Sequence, residues 1–215
     1  MEDEAWTKAI LFEPGQYVEI TPPGGDQSRA YSFASLPNHE GLVEFYVKLR
    51  PGGYFSTYLD AMAKVGDVLT FGLPQGEFTL RDSAGRARWM VCGGTGLAPV
   101  MSMLRRMAQF GLSEPVVLIM GVDRPEEIIA GVELNELRAA LPELRTIQAV
   151  VQPDSGWNGP VGTAVDLLAA QFDVLGPDQP RPDLYLCGSP GFLQAAKDVA
   201  GARGVAPERV FAEMV

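Results

Sequence analysis

The chain has 215 residues and a formal net charge of −10, with 47% of its residues apolar and 20% charged. That balance suits one large domain or two small ones, and the acidic charge excludes general nucleic-acid binding and docking on anionic lipid. No apolar run is long enough to span a bilayer, and the start, Met1-Glu2-Asp3-Glu4, is acidic where a secretory signal is basic, so a cytoplasmic location is expected. The two cysteines, Cys92 and Cys187, lie too far apart to build an iron–sulfur or Cys zinc site, so no metal is expected.

Residues 1–84 carry short β-rich segments at 16–20, 30–35, 42–49 and 67–72, separated by Pro-Gly and Asn-x-x-Gly turns, and read as an antiparallel β-barrel domain. One short helix, Ser56 to Ala63, interrupts it, and the polar stretch Arg81 to Arg88 reads as a linker. From residue 89 to 215 the pattern changes to alternating apolar strands and helices. Strands are expected at 88–92, 115–121, 144–151, 183–187 and 209–213, and helices at 98–110, 125–140, 161–171 and 191–203. Five strands joined by helical crossovers imply a doubly wound parallel sheet covered on both faces, which makes the whole chain an α+β two-domain protein. Ligands of such sheets bind beyond the carboxyl ends of the strands, where Gly93 to Gly96, Asp123 and Cys187 to Pro190 all fall.

The turn Gly93-Gly94-Thr95-Gly96-Leu97-Ala98-Pro99 joins an apolar strand to an amphipathic helix. Glycine lets the backbone approach a ligand closely, and the unpaired N–H groups at the helix start offer donors and a positive dipole end to a phosphate. Pro99 stands where the third glycine of the dinucleotide fingerprint belongs and no Lys-Ser or Lys-Thr follows, so neither a standard Rossmann fingerprint nor a Walker loop fits. In the first half, Arg29-Ala30-Tyr31-Ser32 sets a cation, a planar ring and a hydroxyl along an extended segment, with Arg29 and Tyr31 on one face and Ser32 on the other. This is either a plain barrel strand or a set able to clamp a diphosphate, stack on a flat heterocycle and bond a ring nitrogen. Pro51-Gly52-Gly53-Tyr54-Phe55-Ser56 runs into the short helix and supplies a second anion site through Gly53 and Ser56.

Taken in order, Arg29-x-Tyr31-Ser32, Gly53-x-x-Ser56, the Gly93 to Pro99 turn, Cys187-Gly188-x-Pro190 and Phe211-x-Glu213 resemble the ferredoxin-NADP reductase superfamily. Phe12-Glu13-Pro14-Gly15-Gln16-Tyr17, Trp157-x-Gly159 and Tyr185-Leu186-Cys187-Gly188 are most similar to the reductase components of bacterial oxygenases that act on methane, phenol and benzoate. The resemblance implies FAD in the first domain: Arg29 on its diphosphate, Ala30 in the same segment, Tyr31 on the isoalloxazine ring, Ser32 near flavin N5, Val47 and Lys48 lining the flavin, and Gly53, Phe55 and Ser56 completing the phosphate site. It implies NAD(P)H in the second, with its diphosphate on Gly93, Gly94, Thr95 and Gly96, the nicotinamide near Thr95, Cys187, Gly188 and Pro190, and Glu213 close to the flavin. Ser32, Cys187 and Glu213 are then the catalytic residues. The implied reaction is hydride transfer to flavin, followed by single-electron release to a [2Fe-2S] ferredoxin domain or an oxygenase. A free-standing flavin or quinone reductase, or a non-catalytic nucleotide-binding subunit or fragment that has lost FAD, stand as alternatives.

Asp123, Glu126 and Glu127 place three carboxylates within five residues, so NADH is expected over NADPH, because the cluster repels a 2′-phosphate while an acidic side chain accepts bonds from ribose hydroxyls. Cys187 reads as a small apolar side chain beside the nicotinamide rather than a thiolate. Only eleven residues precede Phe12 where relatives usually have a further strand. Either Thr7 to Leu11 supplies a strand and one edge stays open, or the chain belongs to a longer polypeptide with an N-terminal ferredoxin domain. The chain stops at Val215, where the family often has an aromatic residue. His39 reads as a hairpin-turn residue without a role, and Trp157 either shields the nucleotide or pins its loop.

Overall fold

The computed structural model describes residues 11–38 and 41–215. Thr7 to Ile10 and His39 lie outside them, as do the strand and the turn expected there.

The first half is built on a three-stranded antiparallel sheet of β1 (Tyr17–Thr21), β2 (Arg29–Ser32) and β3 (Thr70–Phe71), in the order β2-β1-β3, with helix α1 (Tyr54–Ala61) between β2 and β3 in sequence. β1 pairs with β2 in the register Tyr17 to Ser32 and Ile20 to Arg29. Val18 and Ile20 point to one side, as strand alternation requires, and pack with Phe33, Phe55 and the Phe12 ring, which stacks on Phe33 at 3.8 Å. The strand expected at 42–49 does not form. Phe45 makes a single antiparallel bridge to Phe33, and the ladder stops there because the Glu44 N–H donates to the Ser35 hydroxyl at 3.1 Å instead of to a main-chain carbonyl. The helix starts two residues earlier than expected, at Tyr54, with Gly53 as its N-cap.

The second half is a five-stranded parallel sheet of β4 (Arg88–Gly93), β5 (Val116–Val122), β6 (Leu144–Val150), β7 (Asp183–Gly188) and β8 (Val210–Met214), in the order β6-β5-β4-β7-β8. The central strands are buried on both faces and alternate between two cores. Met90, Cys92, Leu118 and Tyr185 pack with helices α2 (Leu97–Gln109) and α3 (Gly131–Ala140). Trp89, Val91, Ile119 and Leu184 pack with α4 (Ala164–Leu175) and α5 (Pro190–Ala202). The chain reverses direction across the sheet between β4 and β7, which opens a crevice at their carboxyl ends. The helix expected over 125–140 is split into a 3-10 turn at Pro125–Glu127 and α3, because Ile128 turns extended and ends the first piece, and Ala130, at a left-handed φ of 60°, is the N-cap from which α3 restarts.

The halves are locked together. The buried Ser102 hydroxyl donates to the Ser35 carbonyl at 2.6 Å, Arg105 reaches the Ala34 carbonyl and Glu44, and the Arg81 N–H donates to the Tyr185 hydroxyl at 2.9 Å. At the opposite, amino-terminal edge of the parallel sheet, buried Asp183 accepts from Arg86 at 3.0 and 3.1 Å and from Arg209 at 2.9 Å.

Candidate functional site

Three adjoining clefts lie along the seam between the halves. The first, of about 370 Å³, is lined by Arg29, Ala30, Tyr31 and Ser32 of β2, by Lys48, and by Gly53, Phe55 and Ser56 at the start of α1. β2 is an edge strand, so its unpaired side opens onto the cleft and residues of both its faces reach it. The Arg29 guanidinium is fixed at the rim by the Ser28 carbonyl at 2.7 Å and Gln27 Oε1 at 3.0 Å, and lies 5.7 Å from the centre of the Tyr54 ring. Tyr31 and Phe55 meet at 5.0 Å and form an aromatic wall. The Ser56 hydroxyl accepts the Arg50 N–H at 3.0 Å, which leaves its own proton free to donate. The Tyr46 hydroxyl is buried without a partner among the described residues, in a side chain that lines this cleft. An orphaned donor, three cations (Arg29, Lys48 and Arg50), two serine hydroxyls and an aromatic wall match the needs of a flavin dinucleotide, so the residues present fit FAD.

The second cleft, of about 400 Å³, is the crevice of the parallel sheet, lined by Gly93, Gly94, Thr95, Asp123 and Gly188 together with Ser189. Gly94 has φ 51° and a Cβ there would touch nothing within 4 Å, so that loop stays bare toward the crevice. Gly96 is different: a Cβ would stand 2.5 Å from the Cys187 carbonyl oxygen, so this glycine lets the α2 turn rest on the end of β7. Ser189 caps α5 by accepting the Phe192 N–H at 3.4 Å, which brings a second helix N-terminus to the same crevice. A donor set of exposed backbone and two helix starts fits a dinucleotide diphosphate. The third cleft, of about 330 Å³, joins the other two and takes Val47, Lys48, Gly94 and Thr95.

The Lys48 ammonium bridges to Glu127 Oε1 at 3.0 Å across this seam, and Glu127 Oε2 accepts the Asp123 N–H at 3.3 Å. The Lys48 bond, ahead of the backbone bond, holds the Glu127 carboxyl below its ordinary pKa. Of the three clustered carboxylates, Asp123 and Glu127 line the nucleotide cleft. Glu126 turns to Arg124 at 3.9 Å.

Four sequence-expected residues do not reach the clefts. Gly96 is buried beneath the loop, and Pro190 forms the first turn of α5. Cys187 has no exposed surface and pairs in register between Cys92 and Glu213. Burial, more than the neighbouring Cys92 and Glu213, drives its thiol well above the ordinary value, and burial alone pushes Cys92 up to about 12. Glu213 is half-buried, with its Oε2 3.5 Å from where a Cβ on Gly76 would stand. Burial raises its carboxyl pKa. The Trp157 indole N–H donates to the Pro160 carbonyl at 2.9 Å and its ring covers Gly159, so this side chain pins its loop.

Sequence reasoning missed Arg50, Tyr46 and Phe192, all cleft-lining. A signal existed for Arg50: in an alternating segment it stands two residues beyond Lys48 and so shares its side. For Phe192, whose ring packs under Gly188 where a Cβ would meet it at 2.7 Å, helical spacing gave no such sign.

Residues 4–80 match the model of an oxidoreductase FAD-binding domain and residues 90–198 that of an oxidoreductase NAD-binding domain. The chain is 36% identical over 204 residues to the toluate 1,2-dioxygenase electron transfer component of Pseudomonas putida, covering 95% of this chain and 59% of that protein. It is 41% identical over 166 residues to methane monooxygenase component C of Methylosinus trichosporium, covering 77% and 48%. Among solved structures, the ferredoxin reductase in carbazole 1,9a-dioxygenase superposes with a TM-score of 0.83 at 28% identity, covering 96% of this chain and 61% of that one. The chain thus spans about half to three fifths of the length of these relatives.

Proposed function

The chain belongs to the ferredoxin reductase family of FAD- and NAD-binding oxidoreductases, and from that premise we propose that it takes a hydride from NADH onto FAD and hands single electrons to a [2Fe-2S] ferredoxin domain or an oxygenase component. The observation that carries this is the meeting of the two fitted clefts at Lys48 and Thr95, which line both. When bound, FAD supplies the redox chemistry, accepting two electrons as hydride and releasing them one at a time. This chain's residues supply position and charge. Arg29, Gly53 and Ser56 hold the flavin diphosphate, Tyr31 and Phe55 flank its ring, and the Ser32 hydroxyl serves the ring nitrogen. Gly93, Gly94 and Thr95, with the α2 and α5 N-termini, receive the nicotinamide dinucleotide. Buried Cys187, kept as a thiol, gives the α2 turn a small apolar support without contributing a nucleophile.

Asp123 accepts from a ribose hydroxyl, and Asp123 with Glu127 repels a 2′-phosphate, which favours NADH; Arg124, the nearby cation, is turned to Glu126. Two unpaired buried thiols in register on neighbouring strands suit a reducing, cytoplasmic setting, and no helix among the described residues is long and apolar enough to cross a membrane. The test is the visible spectrum of the purified chain with FAD, before and after anaerobic addition of one equivalent of NADH and then NADPH. A flavin band that bleaches faster with NADH is expected. A protein that stays colourless with FAD removes the proposal, and faster bleaching by NADPH removes the nucleotide preference.

A further inference from the structure

We propose that Arg50, contributed by the flavin-binding half, is the cation that docks the diphosphate of the nicotinamide dinucleotide. The inference rests on the nucleotide-cleft reading above and extends it to a residue outside the motifs.

The charge balance of the cleft points to it. Four charged side chains line that crevice: Asp123, Glu127, Lys48 and Arg50. The half that forms the crevice supplies both carboxylate side chains and no cationic one, so every cation that lines it reaches it from across the seam. Lys48 is already paired with Glu127 at 3.0 Å. The Arg50 guanidinium makes no hydrogen bond or ion pair among the described residues, while its main chain is fixed by the Ser56 hydroxyl accepting its N–H at 3.0 Å and the Gly53 N–H donating to its carbonyl at 2.9 Å. It is an exposed guanidinium on an anchored backbone, standing where a dianion must be neutralised beside two carboxylates. Its fork of N–H groups suits two phosphate oxygens at once. Arg50 also borders the flavin cleft, but Arg29 already serves that side, and Arg29 does not line the nucleotide crevice.

Arg50→Ala and Arg50→Lys, compared with the unaltered chain, test this by calorimetric titration of the FAD-loaded protein with ADP-ribose, which carries the diphosphate but transfers no hydride, alongside titration of the apoprotein with FAD. Removing one exposed, charge-assisted contact is expected to weaken ADP-ribose by about 10-fold, with FAD affinity changed by less than about two-fold. Arg50→Lys is expected to recover much of the loss, and the salt dependence of ADP-ribose binding to flatten in Arg50→Ala. Loss of FAD rather than ADP-ribose assigns Arg50 to the flavin and overturns the inference, as does no change in either. An unaltered chain that binds neither ligand defeats the proposed function together with this inference, whereas one that binds both and is indifferent to Arg50→Ala defeats this inference alone.

Discussion

Replacing Gly96 by Ala isolates one contact, because Gly96 has ordinary right-handed helical angles, φ −59° and ψ −8°, that Ala adopts without strain. Backbone freedom therefore does not explain the glycine. By conformational entropy alone the substitution stabilises by about 0.4–1 kcal/mol. Against this, the new Cβ stands 2.5 Å from the Cys187 carbonyl oxygen and 3.0 Å from its carbon. Both are main-chain atoms of a strand hydrogen-bonded on each side, so no rotamer change relieves the clash. Overpacking of this kind costs about 1–3 kcal/mol, and the net expectation is a loss of about 1–2 kcal/mol, a fall in Tm of about 5 °C for a chain of this size. The assay is thermal unfolding of Gly96→Ala beside Gly94→Ala. Gly94 meets no atom but has φ 51°, so its variant carries only the left-handed backbone cost of about 1–2 kcal/mol. Because the clash pushes α2 away from β7, Gly96→Ala is also expected to weaken ADP-ribose binding. A Gly96→Ala protein as stable as the unaltered chain, with unchanged ADP-ribose affinity, refutes the account of the turn.

Three further outcomes are expected. Asp183→Ala leaves Arg86 and Arg209 without their shared buried carboxylate, and urea unfolding is expected to show a loss of about 2–4 kcal/mol, discounted from a fully buried pair because both arginines are partly exposed. Ser102→Ala removes the donor to the buried Ser35 carbonyl and is expected to cost about 1–2 kcal/mol by the same measurement; an unchanged midpoint speaks against this hydroxyl as a link between the halves. Glu213 has a raised pKa in the folded chain, so its protonated form is favoured there: its contribution to stability is complete below the ordinary carboxylate pKa and is lost as pH rises through the raised one. Glu213→Gln is therefore expected to gain Tm relative to the unaltered chain at about pH 8 and not at about pH 4, and a constant difference contradicts the burial argument.

Much of this was legible along the chain because it depends on local pattern. Continuous apolar strands between amphipathic helices specify a parallel sheet with two covered faces, and glycines at the end of β4 specify a bare loop at the crevice. The Arg29 to Ser32 segment and the turn at Gly53 likewise occupy one cleft. Alternation alone misread 42–49, since a side-chain hydroxyl, Ser35, took the N–H that a strand would have paired. Nor did order of residues foretell that Cys187 and Glu213 would be shut away from the clefts, or that Lys48 would be spent on Glu127, 79 residues distant. Periodicity and turn chemistry act between near neighbours and are written in the sequence, whereas the charge left free at a seam, that of Arg50, is settled only when two packed halves bring distant side chains within reach of one another.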